Sequence, residues 1–75
     1  MNQSICEIIK EELKVQERSI TWFANKLSVD RTSVYRLFRK NSIDTELLMR
    51  ISVILNRNFF EELGSEFINK QNSPQ

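Results

Sequence analysis

Apolar residues recur along the chain in five short periodic runs separated by polar stretches. Ile5, Ile9 and Leu13 repeat every four residues with Ile8 beside them, which predicts one face of a helix over about 4–16. Ser4 followed by Glu7 has the spacing of a capping box. Ile20, Phe23 and Leu27 share the face of a shorter second helix that Ser19 can cap. Val34, Leu37 and Phe38, at i, i+3 and i+4, predict a third over 31–39. Asp30 suits its N-cap and the positive end of its dipole, and Arg39 and Lys40 fall at its last turn, where cations are favoured. Leu47, Leu48, Ile51, Ile54 and Leu55 form the strongest stripe, a fourth helix over about 45–55 opened by Asp44 or Thr45. Asn56 is placed to close it in a left-handed conformation. Asn58 and Glu61 repeat the capping-box spacing ahead of a brief fifth helix, which Gly64 is expected to end or kink. A polar tail over 69–75 is expected to be disordered.

The pattern therefore predicts an all-α, compact five-helix fold in one domain over 1–68. One Gly and one Pro in 75 residues are too few for the tight turns of an all-β chain. A domain this small buries only about 60% of its unfolded surface, so a partner adds useful stability. The one cysteine, Cys6, excludes an internal disulfide and, lying in an apolar-periodic run, is expected to be a buried, inert thiol. No run approaches the roughly 18 apolar residues of a membrane span, and no signal peptide is visible, so a cytoplasmic protein with no membrane contact is expected.

Charge is unevenly spread. Residues 1–17 carry two lysines against four glutamates, net −2; residues 18–40 carry six basic residues against Asp30, net +5; residues 41–75 carry three against five, net −2. A central basic block is the footprint of a phosphate-facing surface, or else a solvated basic face with no partner.

Within that block only two or three residues around Ser28 and Val29 join the second and third helices, the spacing of a helix-turn-helix. A unit opening at Ile20 (20–39, with its recognition helix at 31–39) needs apolar residues at Phe23, Leu27, Val29, Val34 and Leu37. It also needs a small one at Ala24, where the helix axes cross closely; all six demands are met. The stretch Ser19-Ile-Thr-Trp-Phe-Ala-Asn-Lys-Leu-Ser-Val-Asp-Arg-Thr-Ser-Val-Tyr-Arg-Leu-Phe resembles the DNA-binding unit of the lambda-repressor-like (Cro/repressor, XRE) family. Leu47-Leu-Met-Arg-Ile-Ser-Val-Ile-Leu-Asn resembles that family's fourth helix, and Asn58-Phe-Phe-Glu-Glu-Leu its fifth. The resemblance covers about residues 4–65. It implies a compact five-helix domain, often a dimer on a palindromic operator, and a transcriptional regulator. The sequence departs from the pattern at Ser28, where Gly is common, and at Ile20, where a phosphate-contacting Gln is frequent.

In that docking geometry the outward residues of the recognition helix face base edges: Arg31, Thr32, Tyr35 and Arg36. Arginine can bond guanine O6 and N7 together, and threonine can bond a base or touch a thymine methyl. Arg18, Lys26, Arg39, Lys40 and Asn41 suit phosphates, which position the protein without reading sequence. Ser33 can do the same or help Asp30 cap the helix. Trp22 can donate its indole N–H to a phosphate, or pack over helix one or stack on Lys26. Phe59 and Leu63 are expected to close the core, while Phe67 and Ile68 are expected at a dimer contact.

No cofactor or metal is implied. The chain has no His and no Gly-rich phosphate loop, Cys6 has no His partner, and the glutamates fall on predicted solvent faces, so an enzyme is not expected. The rival reading is a protein-binding module that keeps the fold without reading DNA, or an antitoxin-like partner that binds both DNA and a protein. Five basic residues gathered around the recognition helix favour double-stranded DNA, with a homodimer on it.

Overall fold

The computed structural model describes residues 3–72, all of whose regular elements are helices: α1 (Ile5–Val15), α2 (Ile20–Leu27), α3 (Arg31–Arg39), α4 (Thr45–Leu55) and α5 (Phe60–Asn72). Each of the first four starts on a side-chain cap that relieves an orphaned N–H. Ser4 and Glu7 form the reciprocal capping box, Ser19 Oγ accepts from Trp22 N–H, Asp30 Oδ1 from Ser33 N–H, and Asp44 Oδ1 from Leu47 N–H. Asp44, not Thr45, is thus the cap of α4.

Three helix ends share one device. Glu17, Ser28 and Asn56 all lie at positive φ, near 57°, 60° and 54°. The following N–H then reaches back five residues: Arg18 to Leu13 O, Val29 to Ala24 O, Arg57 to Ser52 O. This is the left-handed helix ending that usually recruits glycine. Here none of the three is glycine, and the chain's single glycine sits inside α5 instead.

The core is one cluster. Ile9, Phe23, Ile51 and Phe59 are fully buried, with Cys6, Leu13, Ala24, Leu27, Val34, Leu37, Leu48 and Leu55 around them. Phe23 of α2 stacks on Phe38 of α3 with centroids 6.5 Å apart and planes within 5°. Ala24, next to Phe23 in α2, is buried as well. Val29 departs from expectation. It gives its backbone N–H to the end of α2, while its side chain stays 40% exposed.

Polar clamps tie the elements together. Arg57 pairs with Glu12 of α1 and Glu62 of α5, and its guanidinium lies 5.1 Å from the Phe59 ring centroid. Gln16 donates to Glu12 and to the Leu55 carbonyl, both at 2.8 Å. Arg50 of α4 donates to the Leu27 carbonyl at 2.9 Å, satisfying an orphaned group at the end of α2. Glu12 and Glu62 are therefore structural partners, although the sequence places them on solvent faces.

The fifth helix is longer than its sequence suggests. Gly64 neither ends nor kinks it, and residues 69–72 continue it where a disordered tail is expected; residues 73–75 lie outside the described residues. One glycine costs about 1 kcal/mol in a helix interior. Against that stand Glu61 and Glu62 at the positive end of the dipole and the Glu66–Lys70 pair at 3.0 Å. Leu63 is a second correction. Phe59 is buried in the core with Phe60 packed against it, but Leu63 is 39% exposed, lining an open cleft with Ile5 and Ile43. Phe67 and Ile68 are more exposed still. Among the described residues no helix is long and apolar enough to cross a membrane.

A Cβ added at Gly64 meets nothing within 4 Å. Gly64→Ala is therefore expected to raise stability by about 0.5–1 kcal/mol and to increase helicity, read by thermal melting followed by circular dichroism. Gln16's amide and then Arg57 hold the Glu12 carboxyl below its usual range. A depressed carboxylate contributes stability above its unfolded pKa, about 4.3, and loses it as pH falls through the lower folded value. Glu12→Gln should accordingly flatten the loss of stability between about pH 5 and 3 in denaturant titrations.

Candidate nucleic-acid interface

The turn after α2 sets how α3 is presented. Ser28 takes the left-handed conformation, Asp30 caps α3 through Ser33 N–H, and Val34 and Leu37 anchor the helix's inner side. Its other side is free: Arg31, Thr32, Tyr35, Arg36 and Arg39 are all exposed, as the helical spacing of its apolar residues requires. All four candidate base-reading residues thus lie on the open side of one helix. Ser33 is half-buried against its cap, closer to the structural of its two expected roles.

No ion pair among the described residues involves a basic residue of the 18–40 block. The four pairs are Lys14–Glu11, Arg57–Glu12, Arg57–Glu62 and Lys70–Glu66. Asp30, the one carboxylate of the block, is occupied by its cap. Its pKa is lowered by the hydrogen bonds from Ser33, with a smaller contribution from the positive charge of Arg36. Among the described residues the cations around α3 therefore form no ion pair.

Trp22 joins two of the expected phosphate contacts. It is half-buried, with the Arg18 guanidinium 4.5 Å and the Lys26 ammonium 5.8 Å from its ring centroid. The indole stacks on cations, and the stack includes Arg18 as well as Lys26.

Lys40 and Asn41 are set apart from this grouping. Asn41 lines the cleft that also holds Glu7, Glu66 and Leu63. Lys40 lines a smaller one with Asp44 and acts electrostatically on Cys6, lowering its pKa against the larger rise due to burial. Cys6 itself is fully buried, with Sγ 3.9 Å from the Ser42 carbonyl oxygen.

Lys10 and Lys14 of α1 belong with the basic surface, although residues 1–17 are net acidic. Both line the cleft that holds Arg18, Tyr35 and Arg39. The signal is present in the sequence as a basic residue every four positions, Lys10, Lys14 and Arg18. Counting charge by segment conceals it, because Glu7 lines another cleft and Glu12 pairs with Arg57.

Comparison with protein-family models, with curated proteins and with solved structures returned no match.

A guanidinium over an indole contributes about 0.5–1 kcal/mol at an exposed site and shields the ring from water. Arg18→Ala should shift the emission of Trp22, the only tryptophan, to longer wavelength with little change in melting temperature. An unshifted spectrum would remove the stack from the solution structure.

Proposed function

We propose that this chain is a sequence-specific double-stranded DNA-binding protein, a small transcriptional regulator that lays α3 in the major groove. The observation that carries the reading is the open face of α3, where Arg31, Thr32, Tyr35, Arg36 and Arg39 stand exposed with no carboxylate among the described residues paired to them. Unpaired arginines on a helix held by a rigid turn are suited to phosphates and guanine edges. In this reading α2, the turn and α3 form a helix-turn-helix within a lambda-repressor-like arrangement of the five helices. Arg31 and Arg36 supply base contacts together with Thr32 and Tyr35. Arg18, Lys26, Arg39 and Lys40 supply the phosphate contacts that fix the register. Asn41, which shares its cleft with two carboxylates, is left out of that set.

A homodimer places two copies of α3 in successive major grooves, about 34–36 Å apart. Phe67 and Ile68, both more than half exposed on the outer part of α5, are the apolar side chains offered to a second copy. Regulation then works through occupancy of the operator.

Selection of binding sites from a random duplex library tests the reading directly. An enriched motif, with half-sites about one helical turn apart for a dimer, is the expected result. Binding that depends on salt without any motif would leave a nonspecific binder. No binding at low salt would turn the basic helix over to a protein partner. Arg36→Ala is expected to cost about 1–3 kcal/mol on the selected site and to relax one base preference. Lys40→Ala should weaken binding to all sequences alike and reduce the salt slope by about one unit. Unchanged specificity in the first variant, or an unaltered slope in the second, removes that residue from its role.

A further inference from the structure

We infer that the cleft between α1 and α3 binds a small amphiphilic anion, a molecule with an apolar body and one carboxylate or sulfonate. The cleft encloses about 470 Å³, within the range of roughly 300–1,000 Å³ common to small-molecule sites. Its floor is apolar, made by Leu13, Ile20 and Phe38 with the Tyr35 ring at one wall. Its rim is cationic: Lys10 and Lys14 from α1, Arg18 from the following turn, and Arg39 from α3. No acidic side chain lines it. Among the described residues only Lys14 of the four cations has an ion-pair partner, Glu11 at 3.6 Å, and both members of that pair are more than half exposed.

The composition selects the ligand. A bare phosphate needs cations and N–H groups and gains nothing from an apolar floor, while an uncharged apolar molecule leaves the rim unused. An apolar body with one anionic head satisfies both halves, removing the floor from water and giving the rim a charge-assisted hydrogen bond. The cleft at the N-terminal end of α1 offers no such complement, since Glu7 and Glu66 line it.

The site also borders the DNA face, because Tyr35 and Arg39 belong to α3. A ligand that engages them competes for side chains offered to the duplex. It must then weaken DNA binding by the factor by which DNA weakens ligand binding. This coupling rests on the DNA-binding reading; the binding of the anion does not.

The test titrates the full chain with 4-phenylbutyrate, and in parallel with 4-phenylbutyramide and with inorganic phosphate. Amide chemical shifts across the chain and Trp22 emission are followed together, since Arg18 stacks on that indole at 4.5 Å. Saturable shifts centred on Lys14, Tyr35 and Phe38 are expected for the carboxylate. The amide should bind about tenfold more weakly or worse, as loss of a charged hydrogen bond predicts. Lys10→Gln combined with Lys14→Gln, both at exposed positions, should weaken the carboxylate by a similar factor while the melting temperature holds. Equal binding of the amide, equal binding of inorganic phosphate, shifts centred outside the cleft, or an unaffected double variant would each overturn the site. In a separate arm, saturating 4-phenylbutyrate should lower affinity for the selected duplex. Undiminished affinity with the cleft occupied would overturn the coupling, and a chain that binds no duplex at all would fail the DNA reading while the first arm still decides the site.

Discussion

The packing of α2 against α3 over Phe23 and Ala24 is the constraint on which the rest of the structure depends. Phe23 is fully buried and stacked on Phe38, and the small Ala24 next to it is buried in the same core. A larger residue at the buried Ala24 would overpack the core, and overpacked sites force shifts in backbone and rotamers. Ser28 then turns the chain in the left-handed conformation, and Asp30 restarts it as α3 two residues later. With the crossing and the turn fixed, the inner side of α3 is committed to Val34 and Leu37, and its basic residues have nowhere to go but the surface. The exposure that gives α3 its chemistry follows from what is buried beneath it.

A second set of polar contacts ties the helices to one another. Arg57 binds carboxylates of α1 and α5, Gln16 bridges α1 to the end of α4, and Arg50 closes the last turn of α2. Two of the chain's arginines are thereby used within the structure, each where a carbonyl or carboxylate is partly shielded from water. Those between Arg18 and Arg39 find no carboxylate partner. A net charge of +1 conceals this division between arginines spent on the fold and arginines offered outward.

The starts of the first four helices were legible in the sequence because they rest on local chemistry. Ser4, Ser19, Asp30 and Asp44 each hydrogen-bond an N–H three residues away, so the caps depend on neighbours along the chain alone. The left-handed turn at Ser28 was not legible, since the sequence shows only a departure from the common glycine there. Gly64 misled because a helix ends when its sum of interactions turns unfavourable, and one glycine between Glu61 and Lys70 does not reach that point. Leu63 and Val29 misled because periodicity shows which face a residue shares but not whether another element covers it.

The sequence by itself determined five helices, the caps of the first three, the buried faces of the first four and the concentration of cations between residues 18 and 40. All of these follow from interactions spanning a few residues, where spacing fixes geometry. Only the tertiary structure decided that Lys10 and Lys14 join Arg18, Tyr35 and Arg39 around one cleft, that Trp22 lies beneath Arg18, and that Arg57 reaches both Glu12 and Glu62. Those pairings depend on the angles at which helices cross. The crossing angles are set by the volumes of buried side chains packed together, a property of the whole core that no local stretch of sequence contains.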